Sequence, residues 1–217
     1  MESLESLPSI AASARAIAGG LPLAVGPSAI GMRMNPYGAA PMENPGNIRQ
    51  AMNRNDPRQR GLLGAAWTLG YYAHFARAGF AAIAFGGTTG ASGLVHTPQA
   101  WPQPWYDDNG DLFPLFHVLR GLARLSDQPM VSLAISDPSA VQGLAVEGPQ
   151  ARELWLANLT GTEQRIALPA PAAGIAVLDA SNFAQASRTP DLTDRLQPAS
   201  SAEIALRAFA VAHVKLA

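Results

Sequence analysis

The spacing of apolar residues predicts alternating helices and strands over the first half of the chain. Near the start, apolar residues recur at helical spacing until the pattern stops at Gly19-Gly20; they are Leu4, Leu7, Ile10, Ala14 and Ile17. The run LPLAVGPSAIG (21–31) is nearly all apolar, which is typical of a strand buried on both faces. The same patterns predict a helix from Pro57 to Gly79, a second buried strand at FAAIAFGG (80–87) and a helix beginning near Pro114.

The connections between these elements are asymmetric. Long loops, 32–56 and 88–111, follow the two strands, whereas the connections from helix to strand are short and contain glycine. In parallel α/β folds the loops at the carboxyl ends of the strands form the functional site, and the returning loops stay short. We therefore expect the site in the two long loops.

From about residue 129 the pattern changes to short runs separated by turns, which favours antiparallel β-structure. The run WLANLTGTEQRIAL (155–168) predicts a hairpin that turns near Thr160-Gly161. In the last run, Val211, His213 and Lys215 alternate with apolar residues, the period-two pattern of a half-buried strand. The alternating apolar positions are Ala210, Ala212, Val214 and Leu216.

Together these patterns predict an α/β plus all-β chain: the last βα units of a (β/α)8 barrel over 1–127, followed by an antiparallel β-sandwich domain over 128–217. Two βα units cannot close a barrel by themselves. We therefore expect part of a larger architecture, either truncated or with its missing strands on another chain. Open strand edges and apolar helix faces favour association, so a homo-oligomer is expected.

Charge and cysteine content narrow the functional classes. Lys and Arg number 15 against 16 Asp and Glu, and no basic run is present, so nucleic acid and anionic membranes are not expected as partners. Cysteine is absent, which excludes disulfides and thiolate nucleophiles. The start MESLESLPSI lacks the pattern of a signal peptide, and a cytoplasmic location is the expectation.

The first long loop contains three candidate site residues. Arg33 is a candidate catalytic residue because a guanidinium can polarise a carbonyl, while Asn35 and Tyr37 are candidates for binding substrate hydroxyls. The alternative is a loop braced by side chains bonded to backbone. Ser28 nearly fits a nucleophile elbow, but strand-end packing explains it equally well, and Asp56 before Pro57 fits a helix cap.

The second long loop contains the titratable and aromatic candidates. His96 is the candidate catalytic residue here, since imidazole moves protons near neutral pH; a surface histidine is the alternative. The stretch WPQPWYDDNGD contains Trp101 and Trp105, which could stack on a sugar ring, and Asp107 and Asp108, which could bind its hydroxyls. The alternative is a proline-rich lid with a solvated turn. The sequence has no metal-binding pattern, and no metal or cofactor is expected.

Four stretches in order, VGPSAIGMRMNPYGAA, NDPRQRGLLGAAWTLG, AFGGTTGASGLV and PLFHVLRGLA, resemble the end of the D-apionate lactonase family. The resemblance implies a glycosidase-like barrel with an added β-domain that opens D-apionolactone to D-apionate. In the family pattern the turn after the second strand has a glutamate and, a few residues later, an arginine; here Gly87 and Ser92 occupy similar places.

Three functions follow as hypotheses. The first is a sugar-acid lactone hydrolase, in which water attacks a carbonyl with help from His96 and Arg33, or a degenerate relative of one. The second is the C-terminal portion of a glycoside hydrolase. The third is a non-catalytic carbohydrate-binding or assembly module, which the glycine at position 87 favours.

Overall fold

The structure is a computed structural model that describes residues 1–31, 45, 46, 48 and 55–217. A 3-10 turn at Glu2–Leu4 precedes α1 (Leu7–Ala18), which ends at Gly19 in the left-handed conformation. Strand β1 (Ala24–Ser28) follows, then α2 (Leu62–Arg77), β2 (Ala82–Phe85), a short helix α3 (Tyr106–Asn109) and α4 (Pro114–Arg124). The predicted order of helices and strands is confirmed, and α3 is an addition.

Strands β1 and β2 form a parallel pair in which Ala24 lies opposite Ala82. Gly26 allows this close approach: its φ is +126°, and a Cβ there would lie 2.3 Å from the carbonyl oxygen of Ala84. The prediction that both strands are buried on two faces is wrong for the described chain, because their residues alternate between exposed and half-buried. The reason is that this sheet has two strands among the described residues, so much of its surface is not covered.

The helix predicted from Pro57 to Gly79 is divided. Pro57–Arg60 is a 3-10 helix, capped by Asp56, whose Oδ1 accepts a hydrogen bond from the backbone N–H of Arg58 at 2.9 Å. Gly61 is extended, with φ −106° and ψ 179°, and α2 begins after it. The predicted role of Asp56 as a cap is therefore confirmed, but for the short turn rather than for one continuous helix.

The second half contains two antiparallel sheets. Its strands are β3 (Met130–Val131), β4 (Val141–Glu147), β5 (Arg152–Asn158), β6 (Gln164–Ala167), β7 (Ala172–Leu178), β8 (Gln197–Pro198), β9 (Glu203–Leu206) and β10 (Val211–Leu216). The larger sheet has the order β3-β4-β5-β10-β7-β8, and the smaller one pairs β6 with β9. A short helix α5 (Phe183–Ala186) and a 3-10 turn at Leu192–Asp194 lie between β7 and β8.

The predicted hairpin around Thr160-Gly161 is wrong. Strand β5 pairs with β4 and β10, whereas β6 pairs with β9, so the chain crosses here from one sheet to the other. Asn158 holds the crossing: its side-chain amide donates to the carbonyls of Leu206 (2.9 Å) and Arg207 (2.8 Å), and its Oδ1 accepts from the N–H of Thr160 at 2.8 Å. These bonds satisfy the backbone polar groups that lose their ladder partners at the crossing.

The larger sheet is covered on both faces. One face packs on the helices through Leu144, Trp155 and Val211, and the other packs on the smaller sheet through Leu154 and Val214. The last strand is therefore not half-buried as predicted, because its polar side faces the helices rather than solvent. The sequence pattern gave the alternation correctly but not the cover on the second face.

Close packing joins the helical and β parts of the chain. Gly121 of α4 lies against the indole of Trp155, and that indole is stacked on His213 with ring centroids 4.9 Å apart. Arg77 of α2 donates to the carbonyl oxygen of Gly143 and to Gln142 Oε1, both at 2.7 Å. The boundary expected between 127 and 128 stays a prediction.

Histidine 213 is held at this junction by two acceptors. Its Nδ1 lies 2.9 Å from the carbonyl oxygen of Thr193, and its Nε2 lies 2.8 Å from Glu153 Oε2. Because a carbonyl and a carboxylate oxygen only accept hydrogen bonds, this geometry fits a ring that donates from both nitrogens, the imidazolium form. The cation then pairs with Glu153, which keeps the buried charge compensated.

Candidate functional site

The turn after β2 is closed by its own backbone. The N–H of Gly86 donates to the carbonyl oxygen of Ser28 at 2.8 Å, which joins the ends of the two strands, and the N–H of Gly87 donates to the carbonyl oxygen of Ser92 at 3.1 Å. The N–H of Leu94 then donates to the carbonyl oxygen of Thr88 at 2.9 Å. This loop is compact, and it supplies no ionisable side chain until His96.

Ser28 is a packed strand-end residue in this structure. Its hydroxyl donates to the phenol oxygen of Tyr71 on α2 at 2.6 Å. No histidine is among its hydrogen-bond partners in the described part of the chain, so nothing there would activate it as a nucleophile.

His96 and Asp107, two of the candidates from the second long loop, lie side by side. His96 Nε2 is 3.4 Å from Asp107 Oδ1, and the exposed fractions of the two side chains are 11% and 43%. Asp107 Oδ2 accepts a hydrogen bond from the backbone N–H of Gln103 at 2.7 Å, and the N–H of His96 donates to the carbonyl oxygen of Asp111 at 2.7 Å. The pair is therefore fixed from both sides by the loop backbone.

The two ring nitrogens of His96 differ in environment. Nδ1 is buried and has no hydrogen-bond partner among the described residues, whereas Nε2 faces the carboxylate of Asp107. A buried N–H without an acceptor is unfavourable, so the neutral ring with its proton on Nε2 fits this geometry best. In that tautomer His96 orients the carboxylate, and Asp107 is the more exposed member of the pair.

The aromatic residues of the stretch WPQPWYDDNGD differ in how far they are buried. Trp105 packs on Phe183 of the β-domain with ring centroids 5.0 Å apart, and Tyr106 is buried against Phe113 at 4.7 Å. Trp101 is half-buried, and Asp108 is exposed. Arg33, Asn35 and Tyr37, the candidates from the first loop, lie outside the described residues.

Arg60, which no pattern in the sequence indicated as a site residue, lies against Trp101 and Tyr106. Its guanidinium carbon is 4.7 Å from the centroid of the Trp101 ring, and its Nη1 donates to Asn55 Oδ1 at 3.2 Å. Tyr106 donates its hydroxyl to the backbone carbonyl of Arg60 at 2.7 Å, and burial raises the pKa of that phenol, which keeps the hydroxyl protonated. The Asp-Pro-Arg-Gln motif indicated a cap, and it gave no sign that the next arginine points inward.

A cavity of about 400 Å³ lies elsewhere, in the β-domain between the two sheets. Its lining is mainly apolar and includes Leu133, Ile135, Leu154 and Ile166. None of the candidate residues that the structure describes lines this cavity, which is therefore separate from the His96–Asp107 pair. Across the described residues, no group of three or more His, Asp or Glu could hold a metal ion, and no helix is long and apolar enough to cross a membrane.

Comparison with known proteins gives the chain a family. A family model described as the D-apionate lactonase TIM barrel domain matches residues 1–127, which is more than half of the chain. The chain belongs to the D-apionate lactonase family. A second model of the same family, its C-terminal immunoglobulin-like domain, matches residues 138–214, so the expected barrel portion followed by a β-sandwich is confirmed.

A curated relative gives the same family. The D-apionate lactonase of Brucella anthropi is 35% identical over 168 residues, which cover 77% of this chain and 26% of that protein. The chain therefore spans about a quarter of the length of this relative. Among solved structures, a conserved exported protein from Bacteroides fragilis is similar in fold, with a TM-score of 0.58, 11% identity and coverage of 97% of this chain and 42% of that one.

Membership in the D-apionate lactonase family leaves the individual site residues as predictions. His96 and Asp107 are brought together in the described structure, and Trp101 is placed on Arg60 in the same loop region. Trp105 lies mainly in the contact with the β-domain.

Proposed function

We propose that this chain hydrolyses a sugar-acid lactone, converting D-apionolactone to D-apionate. The observation that carries the proposal is the 35% identity with the Brucella anthropi D-apionate lactonase over 168 residues. The paired His96 and Asp107 in the long loop that follows β2 support it, because ester hydrolysis needs a group that moves a proton beside the reacting carbonyl. The identity with that relative also agrees with a small sugar-acid lactone as the substrate.

In the proposed reaction a water oxygen bonds to the lactone carbonyl carbon and the ring C–O bond breaks. Asp107 takes the proton of the attacking water while His96, through its Nε2–H, holds the carboxylate in position. The proton then passes to the ring oxygen, which leaves as a hydroxyl, and the product is a hydroxy acid. Arg33 polarises the carbonyl, and Asn35, Tyr37, Trp101, Trp105 and Asp108 contact the sugar.

The test is a pH-stat assay of the purified 217-residue chain with D-apionolactone and other five-membered sugar lactones. We expect His96→Ala and Asp107→Asn each to lower kcat by about 10²-fold or more. Asp127→Asn is the matched control, because Asp127 is exposed, lies outside the site and has φ +63°, a conformation that asparagine tolerates. An active control with both site variants equally active would remove the pair from the mechanism.

A non-catalytic carbohydrate-binding module is the second candidate, and Gly87 is the observation that favours it. No side chain is present at the position where the family pattern has a glutamate. Binding of the sugar without turnover by the folded chain would support this candidate. Hydrolysis of glycosides, with lactones left intact, would instead favour a glycosidase.

We also propose that the protein is cytoplasmic and forms a homo-oligomer.

A further inference from the structure

Arg60 is a buried arginine with few partners. The residue is 4% exposed, and among the described residues its guanidinium makes one hydrogen bond, to Asn55 Oδ1, together with the contact to the Trp101 ring. Within the described part of the chain no carboxylate lies within 4 Å of its nitrogens. By contrast, Arg58 forms two-pronged hydrogen bonds with Asp56, at 2.9 Å from Nε and 2.5 Å from Nη2.

A buried guanidinium without a carboxylate is unfavourable for folding, because the charge loses its hydration. Burial correspondingly lowers the pKa of the Arg60 guanidinium, and the phenol of Tyr106 and the carboxylates of Asp56 and Asp107 oppose that effect only from a distance. A neutral side chain such as glutamine or methionine could fill the same space at lower cost. The structure therefore holds this charge for something other than stability.

We infer that Arg60, which lies over the Trp101 ring and is hydrogen-bonded to Asn55, binds the carboxylate of a small polyhydroxy acid. The contact with the Trp101 ring is made through the charge of the guanidinium, whose carbon lies 4.7 Å from the ring centroid, and it uses none of the N–H groups in a conventional hydrogen bond. A guanidinium has five such donors, and Asn55 uses one of them. A carboxylate matches the spacing of two parallel N–H groups, which gives both charge neutralisation and a defined orientation.

The surroundings of Arg60 favour a hydroxylated acid as ligand rather than an apolar one. The loop after β2 contains Trp101, which contacts Arg60, and also the His96–Asp107 pair. Asp107 is close enough for its negative charge to raise the pKa of Arg60. An indole next to polar side chains is typical of sites that bind sugars. The identity of the acid as D-apionate rests on the proposed function, whereas the carboxylate site itself does not.

The experiment is isothermal titration of the purified chain with D-apionate at pH 7, with D-apiose as a neutral compound of the same carbon skeleton. We expect D-apionate to bind and D-apiose to bind at least about 30-fold more weakly, the loss typical for removing one partner of a charged hydrogen-bonded pair. Arg60→Gln should lose D-apionate affinity by a similar factor. Arg58→Gln is the matched control and should stay within about twofold of wild type, since Asp56 already satisfies that guanidinium.

Thermal unfolding decides between a binding role and a structural one. Because Arg60 has no ion pair with a described residue, Arg60→Gln should unfold at the wild-type temperature or above it. Arg60→Lys keeps the charge but loses the two-pronged geometry, so it should fold normally and bind D-apionate more weakly than wild type. Lower unfolding temperatures in both variants would make the guanidinium structural and overturn the inference.

Two further results would also overturn it: equal affinity for D-apionate and D-apiose, or wild-type affinity in Arg60→Gln. The proposed hydrolysis fails separately from the carboxylate site. A chain that binds D-apionate through Arg60 but does not hydrolyse D-apionolactone retains the site and loses the catalytic proposal. If the chain hydrolyses the lactone, and Arg60→Gln leaves both the kinetics and the affinity for D-apionate unchanged, the catalytic proposal stands and the carboxylate site is lost.

Discussion

Replacing Gly121 by alanine tests the packing that joins α4 to the larger sheet. An added Cβ would lie 2.0 Å from Cζ2 and 2.2 Å from Cη2 of Trp155, far inside van der Waals contact. The indole cannot easily retreat, because its other face is stacked on His213, which is itself held by Thr193 and Glu153. The substitution therefore forces a shift of α4 or of the ring.

The expected loss of stability follows from two opposing effects. Overpacking a core typically costs about 1–3 kcal/mol, and the overlap at Trp155 places this case near the upper end. Alanine in a helix interior returns about 1 kcal/mol relative to glycine. The net loss is about 2 kcal/mol, which lowers the melting temperature by about 4–8 °C for a chain of this size.

Thermal unfolding followed by circular dichroism measures this loss, with Gly70→Ala as the matched control. Gly70 also lies inside a helix, but its added Cβ would meet mainly Leu4 Cδ1 at 2.7 Å, the end of a flexible side chain. We expect a change of less than about 1 kcal/mol for the control. If the two variants have the same melting temperature, the indole of Trp155 is free to move and the reasoning fails.

A double variant isolates the contact itself. Phenylalanine lacks the indole atoms Cζ2 and Cη2, so Gly121→Ala added to Trp155→Phe should cost less than it costs in wild type. Additive losses would show that the strain of the alanine lies elsewhere in α4.

Two neighbouring glycines and one histidine supply further tests. Gly86→Ala should lower the free energy of unfolding, measured with urea, by about 3 kcal/mol, because φ of Gly86 is +32° and the added Cβ would lie 2.0 Å from the carbonyl oxygen of Ser92. Gly87→Ala should change the free energy of unfolding by less than about 1 kcal/mol. Equal losses would contradict this. Burial, with a smaller contribution from Arg77, lowers the pKa of His74 from 6.5 to about 4, so the unfolded chain binds the proton first and stability falls as pH drops from 6.5 towards 4. His74→Gln should flatten that part of the pH profile, and an unchanged slope would rule out this cause.

The order of elements was predictable because local signals mark each boundary. Gly19 ends α1 in the left-handed conformation, and Pro114 begins α4, as their positions in the sequence indicate. The split at Gly61 was not predictable, because a single glycine is tolerated inside a helix, whereas the structure holds Gly61 in an extended conformation between the 3-10 helix and α2. Local propensity defines where helices occur but not each break.

Strand partners were less predictable than the strands themselves. The alternation in 155–168 fits a hairpin as well as a crossing between sheets, and only the pairing of β6 with β9 distinguishes them. Likewise, His213 was expected on a half-exposed face, but the helices of the first half cover that face. Burial on the second face of a sheet depends on elements distant in sequence, which a period-two pattern does not record.

The candidate site depends on the β-domain for its position. The N–H groups of Asp111 and Leu112 donate to the carbonyl oxygen of Ser187, and Trp105 packs on Phe183, so the loop that contains Asp107 is fastened to α5 and the residue after it. His117 of α4 also contacts α5: its Nε2 lies 2.9 Å from the carbonyl oxygen of Ala186. Because α5 lies in the β-domain, that domain sets where the His96–Asp107 pair and Trp101 stand relative to Arg60. The immunoglobulin-like domain thus supports the loop that contains the candidate residues Trp105 and Asp107.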